Sequence, residues 1–220
     1  MENTITVDEK EIKLFGKEDA EFLILQTIEE RTDPEEIVSS IREKTDVPFL
    51  YAAITVEDWN RDLSPWYAEP VFGKEAFEGE ALRTLIRAEN VLADLKRRYP
   101  FHKVVLGGYS LAGLFAFYAS YVSDSFDRIA AVSPSVWYDG FREFMESHEC
   151  HAENVYLSLG DREHITKNKR MAAVKDNIEY AASLLKERAF LEYNPGNHFN
   201  DPAGRTAKGF AYLLNNERTQ

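Results

Sequence analysis

Residues 103–120 constrain the fold more than any other stretch, because they read as a strand, a tight turn and a helix in succession. Residues 104–106 (Val-Val-Leu) form an apolar, largely β-branched run that is typical of a central strand covered on both faces. Residues 111–121 are apolar on nearly every side, which indicates a buried helix. Since only a few residues separate these two elements, the sequence predicts a sharp strand-to-helix turn.

The turn itself carries Ser110, with Gly108 two positions before it and Ala112 two positions after it. Small residues at these positions let a strained turn close and leave the serine side chain at the carboxyl end of the sheet. The N–H of Leu111, at the helix start, would then face a negative charge forming beside Ser110 Oγ. A phosphate-binding loop fits less well, because the stretch has neither a Gly-Lys-Ser/Thr ending nor a complete G-x-G-x-x-G pattern. The alternatives are a nucleophilic serine and a plain connecting turn.

Strand-like and helical patterns alternate along the rest of the chain. Alternating apolar residues over 4–15 predict a hairpin at a sheet edge, and buried strands are predicted at residues 22–25, 49–54, 129–132, 155–159 and 190–193. Helices are predicted from Pro34, over 75–98, around 141–147, over 167–187 and from Pro202 to about residue 214. This order predicts one α/β domain over residues 1–220, with a mostly parallel central sheet and helices on both faces.

Composition narrows the classes of protein that the chain can represent. Its 220 residues carry a formal net charge of −12, which argues against nucleic acid as a partner. Cys150 is the single cysteine, so no intramolecular disulfide is expected. The N-terminal residues lack the pattern of a signal peptide, and no apolar run has membrane-spanning length. The expectation is a cytoplasmic protein with no membrane partner, and a homo-oligomer stays open.

Reactive side chains follow three predicted strands in the order Ser110, then Asp161 and Glu163, then His198. The carboxyl ends of parallel strands meet at one edge of a sheet, where ligands bind. A serine hydroxyl needs a histidine to take its proton, and a carboxylate to orient that histidine. Glu163 is favoured as the acid, because the loop can turn back toward the site by the third residue after Gly160. Asp161 remains the alternative, although it is also placed to hydrogen-bond within its own turn.

The long segment of residues 56–72 has no helical or strand period, and loops of this length inside a compact domain usually carry function. It contains Trp59 and Trp66, and the segment after the strand at 129–132 contains Trp137 and Tyr138. These four aromatic residues are expected to shape a pocket for the acyl or alcohol part of a substrate. A surface loop pinned by its tryptophans is the alternative for residues 56–72.

Four stretches together resemble the serine esterase group of the α/β-hydrolases, which includes enterochelin esterases, esterase D-type enzymes and mycolyltransferases. The stretches are residues 58–66 (DWNRDLSPW), 107–115 (GGYSLAGLF), 133–137 (SPSVW) and 196–198 (GNH). The chain departs from the group's G-x-S-x-G pattern only in carrying Ala112 for the last glycine.

The resemblance implies an α/β-hydrolase fold in which Ser110 is the nucleophile, His198 the base and Glu163 or Asp161 the acid. It also implies a second oxyanion N–H from residues 27–29, centred on Ile28, beside that of Leu111. The expected activity is that of a serine carboxylesterase that hydrolyses a small ester through an acyl-enzyme, without metal or cofactor. An acyltransferase and a non-catalytic binding protein on the same fold are the alternatives.

Overall fold

The computed structural model describes residues 2–71 and 73–216. The strands in this part of the chain are β1 (Glu2–Val7), β2 (Lys10–Gly16), β3 (Phe22–Glu29), β4 (Phe49–Val56), β5 (Tyr67–Ala68), β6 (Phe77–Glu78), β7 (Lys103–Tyr109), β8 (Arg128–Val132), β9 (Asn154–Gly160) and β10 (Ala189–Asn194). Eight of these described strands form one sheet in the order β1-β2-β4-β3-β7-β8-β9-β10. β4, β3, β7, β8, β9 and β10 run parallel, whereas β2 is antiparallel to both β1 and β4. The predicted mostly parallel sheet with an edge hairpin is confirmed.

The helices are α1 (Pro34–Arg42), α2 (Trp59–Leu63), α3 (Ala81–Arg98), α4 (Leu111–Val122), α5 (Phe141–Ser147), α6 (Lys169–Ala172), α7 (Val174–Leu185) and α8 (Pro202–Asn215), with a 3-10 turn at Lys186–Arg188. α1 and α8 pack on one face of the sheet, and α3, α4 and α7 pack on the other. Two apolar clusters result, one on each face, as expected for a parallel sheet buried on both sides. No helix in the described part of the chain is both long enough and apolar enough to cross a membrane.

Local signals explain where several elements begin. Asp33 caps α1 by accepting a hydrogen bond from the N–H of Glu35, and Pro34 occupies the first helical position.

β3 is buried along almost its whole length, because β4 and β7 flank it and helices cover both faces. Because β7, β8, β9 and β10 are parallel neighbours, their carboxyl ends lie next to one another along one edge of the sheet.

The prediction that residues 56–72 lack regular structure is wrong in part. Asp58 accepts a hydrogen bond from the N–H of Arg61, which caps the short helix α2, and Asp62 accepts from the N–H groups of Glu57 and Asp58. β5 pairs with β6 in a separate two-stranded ribbon. Both elements are too short to produce a detectable hydrophobic period. The last predicted loop residue, Phe72, lies outside the described residues.

Two of the predicted helices are shorter than expected. The helix predicted over 75–98 begins at Ala81, and its Leu82 and Ile86 are mostly exposed rather than part of the apolar stripe. The buried face of α3 includes Ala81, Thr84 and Ala88, so the buried stripe runs beside those two residues. The helix predicted over 167–187 is divided at Ala173 into α6 and α7 and ends at Leu185.

Candidate active site

Ser110 occupies the turn between β7 and α4 in a backbone conformation that residues other than glycine rarely adopt. Its φ and ψ are 60° and −120°, which costs on the order of 1–3 kcal/mol and persists only where the surroundings impose it. The N–H of Ser110 donates to the carbonyl of Val132 at 3.0 Å, and its carbonyl accepts from the N–H of Ser135 at 3.1 Å. These contacts hold the Ser110 side chain at the carboxyl edge of the sheet.

Gly108 makes this turn possible. A Cβ atom at Gly108 would lie 2.6 Å from the Cβ of Ala112 and 2.7 Å from its carbonyl carbon. The first turn of α4 therefore packs directly on the backbone of β7, and no side chain fits between them. Ala112 is accommodated because the facing residue is glycine.

His198 connects Ser110 to a carboxylate. Its Nε2 lies 3.0 Å from Ser110 Oγ, and its Nδ1 lies 2.8 Å from Glu163 Oε2. The hydroxyl of Tyr109 donates to the His198 carbonyl at 2.6 Å. The loop after β10 is therefore held over the turn after β7, and each ring nitrogen faces one reactive group.

Glu163 is enclosed by donors, and its side chain is only 3% exposed. Its Oε1 accepts hydrogen bonds from the N–H of Gly160 at 2.6 Å, from Ser133 Oγ at 2.7 Å and from Arg205 Nη1 at 3.3 Å. Its other oxygen is left for His198. We refer to Glu163, Ser133, Arg205 and the Gly160 N–H as the acid network.

The donors of the acid network decide the charge of Glu163. Burial on its own raises the pKa of a carboxyl group, and it is the largest single influence here. The hydrogen bond and positive charge of His198, with the bonds from Ser133 and Gly160, together outweigh it and lower the pKa below its usual value. Glu163 is therefore a carboxylate at neutral pH.

Asp161 is not brought to His198. Its side chain is 55% exposed, and its Oδ1 accepts a hydrogen bond from the N–H of Gly196 at 2.8 Å. It fastens the loop after β9 to the loop that carries His198. The sequence left Asp161 and Glu163 open as the acid, and the geometry places only Glu163 against the imidazole.

Sequence reasoning missed the contacts of Ser133 and Arg205 with Glu163 and that of Tyr109 with the His198 carbonyl. Arg205 lies in α8 with its side chain 3% exposed; besides Glu163, it donates to the Pro195 carbonyl at 2.8 Å and lies 3.4 Å from the Tyr109 hydroxyl. Ser133 follows β8 directly, so its place at the carboxyl end of a strand was an available signal. An arginine among the apolar positions of α8 was the other signal.

The four aromatic residues that were expected to shape a pocket have different surroundings. Trp59 lines a cavity together with Tyr109. Trp66 donates to the Asp139 carbonyl, Tyr138 donates to the Trp66 carbonyl, and both rings pack within an aromatic cluster of the core. Trp137 is partly buried against Phe77 and Tyr138. Trp66 and Tyr138 therefore hold neighbouring segments together.

The two predicted oxyanion donors lie at the carboxyl ends of the neighbouring strands β7 and β3, one just after its strand and one within it. Leu111 is the first residue of α4, where N–H groups have no acceptor within the helix. Residues 27–29 are the last residues of β3 rather than part of the following loop, and Ile28 pairs with Thr55 of β4. The side chain of Ile28 is buried in the smaller apolar cluster.

A cavity of about 320 Å³ opens at the carboxyl end of β3. Its wall includes Tyr109, the residue before Ser110, and residues at the start of α8, shortly after His198. We call it the β3 cavity. In the described part of the chain, including this cavity, no group of three or more His, Cys, Asp or Glu side chains is arranged to hold a metal ion.

The architecture is that of the α/β-hydrolase fold, and solved structures with this fold match over nearly the whole chain. An IroE-like serine hydrolase from Shewanella oneidensis is 15% identical with a TM-score of 0.78, covering 97% of this chain and 80% of that one. The siderophore hydrolase EstA from Aspergillus nidulans is 19% identical with a TM-score of 0.69, covering 98% and 94%. The enterobactin esterase FES from Shigella flexneri is 18% identical with a TM-score of 0.68, covering 97% and 58%.

These neighbours match the group that the sequence motifs resemble, and at such low identities they establish the fold. No protein-family model matches the sequence. No curated protein matches it significantly.

Proposed function

We propose that this protein is a serine carboxylesterase that hydrolyses a small ester through an acyl-enzyme intermediate. The observation that carries the proposal is the continuous chain of contacts from Ser110 Oγ through the two nitrogens of His198 to Glu163 Oε2, at 3.0 and 2.8 Å. A serine and a histidine in hydrogen-bond reach, with the histidine oriented by a buried carboxylate, form the arrangement that activates a serine hydroxyl.

In the first half-reaction, Ser110 Oγ attacks the ester carbonyl carbon while its proton moves to His198 Nε2. Glu163, which accepts the Nδ1–H, keeps the ring in the required tautomer and stabilises the imidazolium. His198 then gives the proton to the alcohol oxygen as the carbon–oxygen bond breaks. The products of this step are the free alcohol and an acyl group on Ser110.

In the second half-reaction, a water molecule takes the place of the alcohol. His198 accepts a proton from the water as its oxygen attacks the acyl carbon, and returns the proton to Ser110 Oγ as the acid leaves. In both halves the N–H of Leu111, with a second N–H from residues 27–29 near Ile28, receives the negative oxygen of the tetrahedral intermediate. The strained turn at Ser110 supports this assignment, because it is the geometry of a nucleophile elbow.

The structural neighbours add independent support, since their names describe serine hydrolases and esterases. Siderophore and enterobactin hydrolysis are named for those neighbours and are not transferred to this chain. For this chain the proposal extends to cleavage of a carboxylic ester.

The test is chemical labelling combined with one substitution. A fluorophosphonate probe is expected to modify Ser110, and Ser110→Ala is expected to lower hydrolysis of p-nitrophenyl acetate by about 10⁴-fold or more. Circular dichroism of the variant checks that the fold is retained. Full activity in Ser110→Ala, or labelling at another residue, would contradict the proposal.

A further inference from the structure

The β3 cavity belongs to the proposed active site, because both reactive segments contribute to it. Tyr109, whose hydroxyl holds the His198 loop, lines the cavity, and so do Pro202 and Thr206 of α8. β3 and β7 are parallel with Gln26 opposite Gly107, so the last residues of β3 end level with Ser110. One limb of an ester bound at Ser110 is therefore placed to enter this cavity.

The charged groups of the cavity wall are mainly acidic. Glu29, Asp33 and Glu36 line it, against the single guanidinium of Arg31. That guanidinium is already ion-paired with Glu29. In the adjoining depressions the lining adds Glu30, Glu35 and Glu57, the last ion-paired with Lys10. The wall and its surroundings therefore carry a clear excess of negative charge.

Two helix N-termini at the cavity reduce the excess of negative charge at its wall. α1 and α8 both begin there, and each helix start carries roughly half a positive charge. Carboxylates already cap both helices, since Asp33 accepts from the N–H of Glu35 and Asp201 accepts from the N–H of Gly204. Three wall carboxylates against one guanidinium leave a negative balance even after both helix ends are included.

The wall also contains an aromatic surface and a buried hydroxyl. Trp59 and Tyr109 both line the cavity, and the faces of aromatic rings attract cations. Thr27 lines it as well, is only 1% exposed, and its Oγ1 has no hydrogen-bond partner among the described residues. A buried hydroxyl without a partner is unfavourable, so a polar ligand that reached Thr27 would relieve that cost.

Building on the proposed esterase activity, we infer that the β3 cavity selects esters with a cationic limb, such as a substituted ammonium group. Carboxylates and aromatic faces together stabilise such a group, and the same field repels an anionic limb. Neutral esters remain substrates, because the reaction at Ser110 does not depend on this charge.

The experiment compares kcat/KM for matched esters on the intact protein. Two pairs are used, one with an acyl chain and one with an alcohol chain that ends in either trimethylammonium or its uncharged isostere, tert-butyl. In one pair or the other, the cationic ester is expected to be preferred by about tenfold at low salt. Added salt is expected to reduce the preference, because exposed charges are screened.

The double variant Glu29→Gln, Glu36→Gln is expected to abolish or reverse the preference, since it removes two carboxylates and leaves Arg31 unpaired. Glu143→Gln is the matched control, because Glu143 is an exposed first-turn glutamate of α5 outside the cavity wall. The tert-butyl esters normalise each variant for any loss of folded protein.

The outcomes separate this inference from the proposed function. Ser110-dependent hydrolysis of the neutral esters with no cationic preference in either pair would overturn the inference and leave the esterase in place. An unchanged preference in the double variant would also overturn it. Failure of every ester would instead contradict the proposed function.

Discussion

Two buried hydroxyl groups on either side of Ser110 show how differently the two halves of the site are built. Ser133 and Thr27 are each 1% exposed. Ser133 donates to Glu163 within the acid network, where both carboxylate oxygens have partners. Thr27, in the wall of the β3 cavity, has no partner among the described residues. The acid network is complete without a ligand, whereas the cavity wall offers an unused polar group.

The acid network belongs to the proposed reaction, whereas the wall of the β3 cavity belongs to the proposed selection of substrates. The carboxylate that orients His198 is held by several donors, so small shifts in one of them do not release it. The carboxylates of Glu29 and Glu36 in the cavity wall are partly or fully exposed, so substituting them is expected to leave the fold intact. Substitutions on the two sides are therefore expected to differ both in size and in the property that they alter.

The largest expected effect is on turnover. Glu163→Gln leaves a side chain of the same shape but favours the wrong tautomer of His198 and no longer stabilises the imidazolium. We expect kcat to fall by about 10³–10⁴-fold with little change in KM. Steady-state kinetics on p-nitrophenyl acetate measures this.

Asp161→Asn is the matched control, because the amide oxygen can still accept the Gly196 N–H. We expect it to keep kcat within about tenfold of the wild type, since a preserved loop hydrogen bond leaves His198 in place. If Asp161→Asn lost as much activity as Glu163→Gln, the assignment of Glu163 alone as the orienting acid would be wrong.

A smaller effect is expected on stability, and it compares the two hydroxyls directly. Ser133→Ala removes a donor to a buried carboxylate, which is expected to lower the free energy of unfolding by about 1–3 kcal/mol. Thr27→Val exchanges an unpartnered hydroxyl for a methyl group of the same shape and is expected to be neutral or stabilising, within about 1 kcal/mol. Urea denaturation of both variants measures the free energy of unfolding. Equal losses of stability in the two variants would contradict the expected difference between the two hydroxyl groups.

The smallest expected effect is the pH dependence of stability. The pKa of Glu163 is lowered in the folded protein, so its contribution is present above the unfolded value of about 4.3 and is lost as pH falls through the folded pKa. Wild-type stability should therefore decline more steeply below about pH 5 than that of Glu163→Gln, which cannot titrate. Denaturation curves over this range, with Thr27→Val expected to follow the wild type, test the prediction.

The parts of the fold that sequence could predict are those with local patterns. The strand-to-helix turn around Ser110 is marked by small residues at Gly108 and Ala112, and each buried strand by its own apolar run. The positions of Ser110, Glu163 and His198 after strand ends followed from these elements, because parallel strands bring their carboxyl ends to one edge. The short helix α2 could not be predicted this way, since five residues hold too few turns to show a period.

The acid network depends on contacts between distant segments, which no local pattern reports. The position of Arg205 among apolar residues of α8 indicates burial, but its partner Glu163 is identified only once α8 has packed on the sheet. Similarly, Leu82 and Ile86 are apolar residues of α3, but the buried face of that helix lies beside them and leaves both exposed. Asp161 and Glu163 could not be separated in the sequence for the same reason.

The contact of Arg205 with Tyr109 joins residues 96 positions apart along the chain. Because the same guanidinium reaches Glu163 and the Pro195 carbonyl, α8 links the segments that form the candidate active site. A growing or refolding polypeptide cannot complete that site until this helix has docked. If the protein is the proposed esterase, hydrolytic activity is therefore expected to return during refolding no earlier than α8 packs on the sheet.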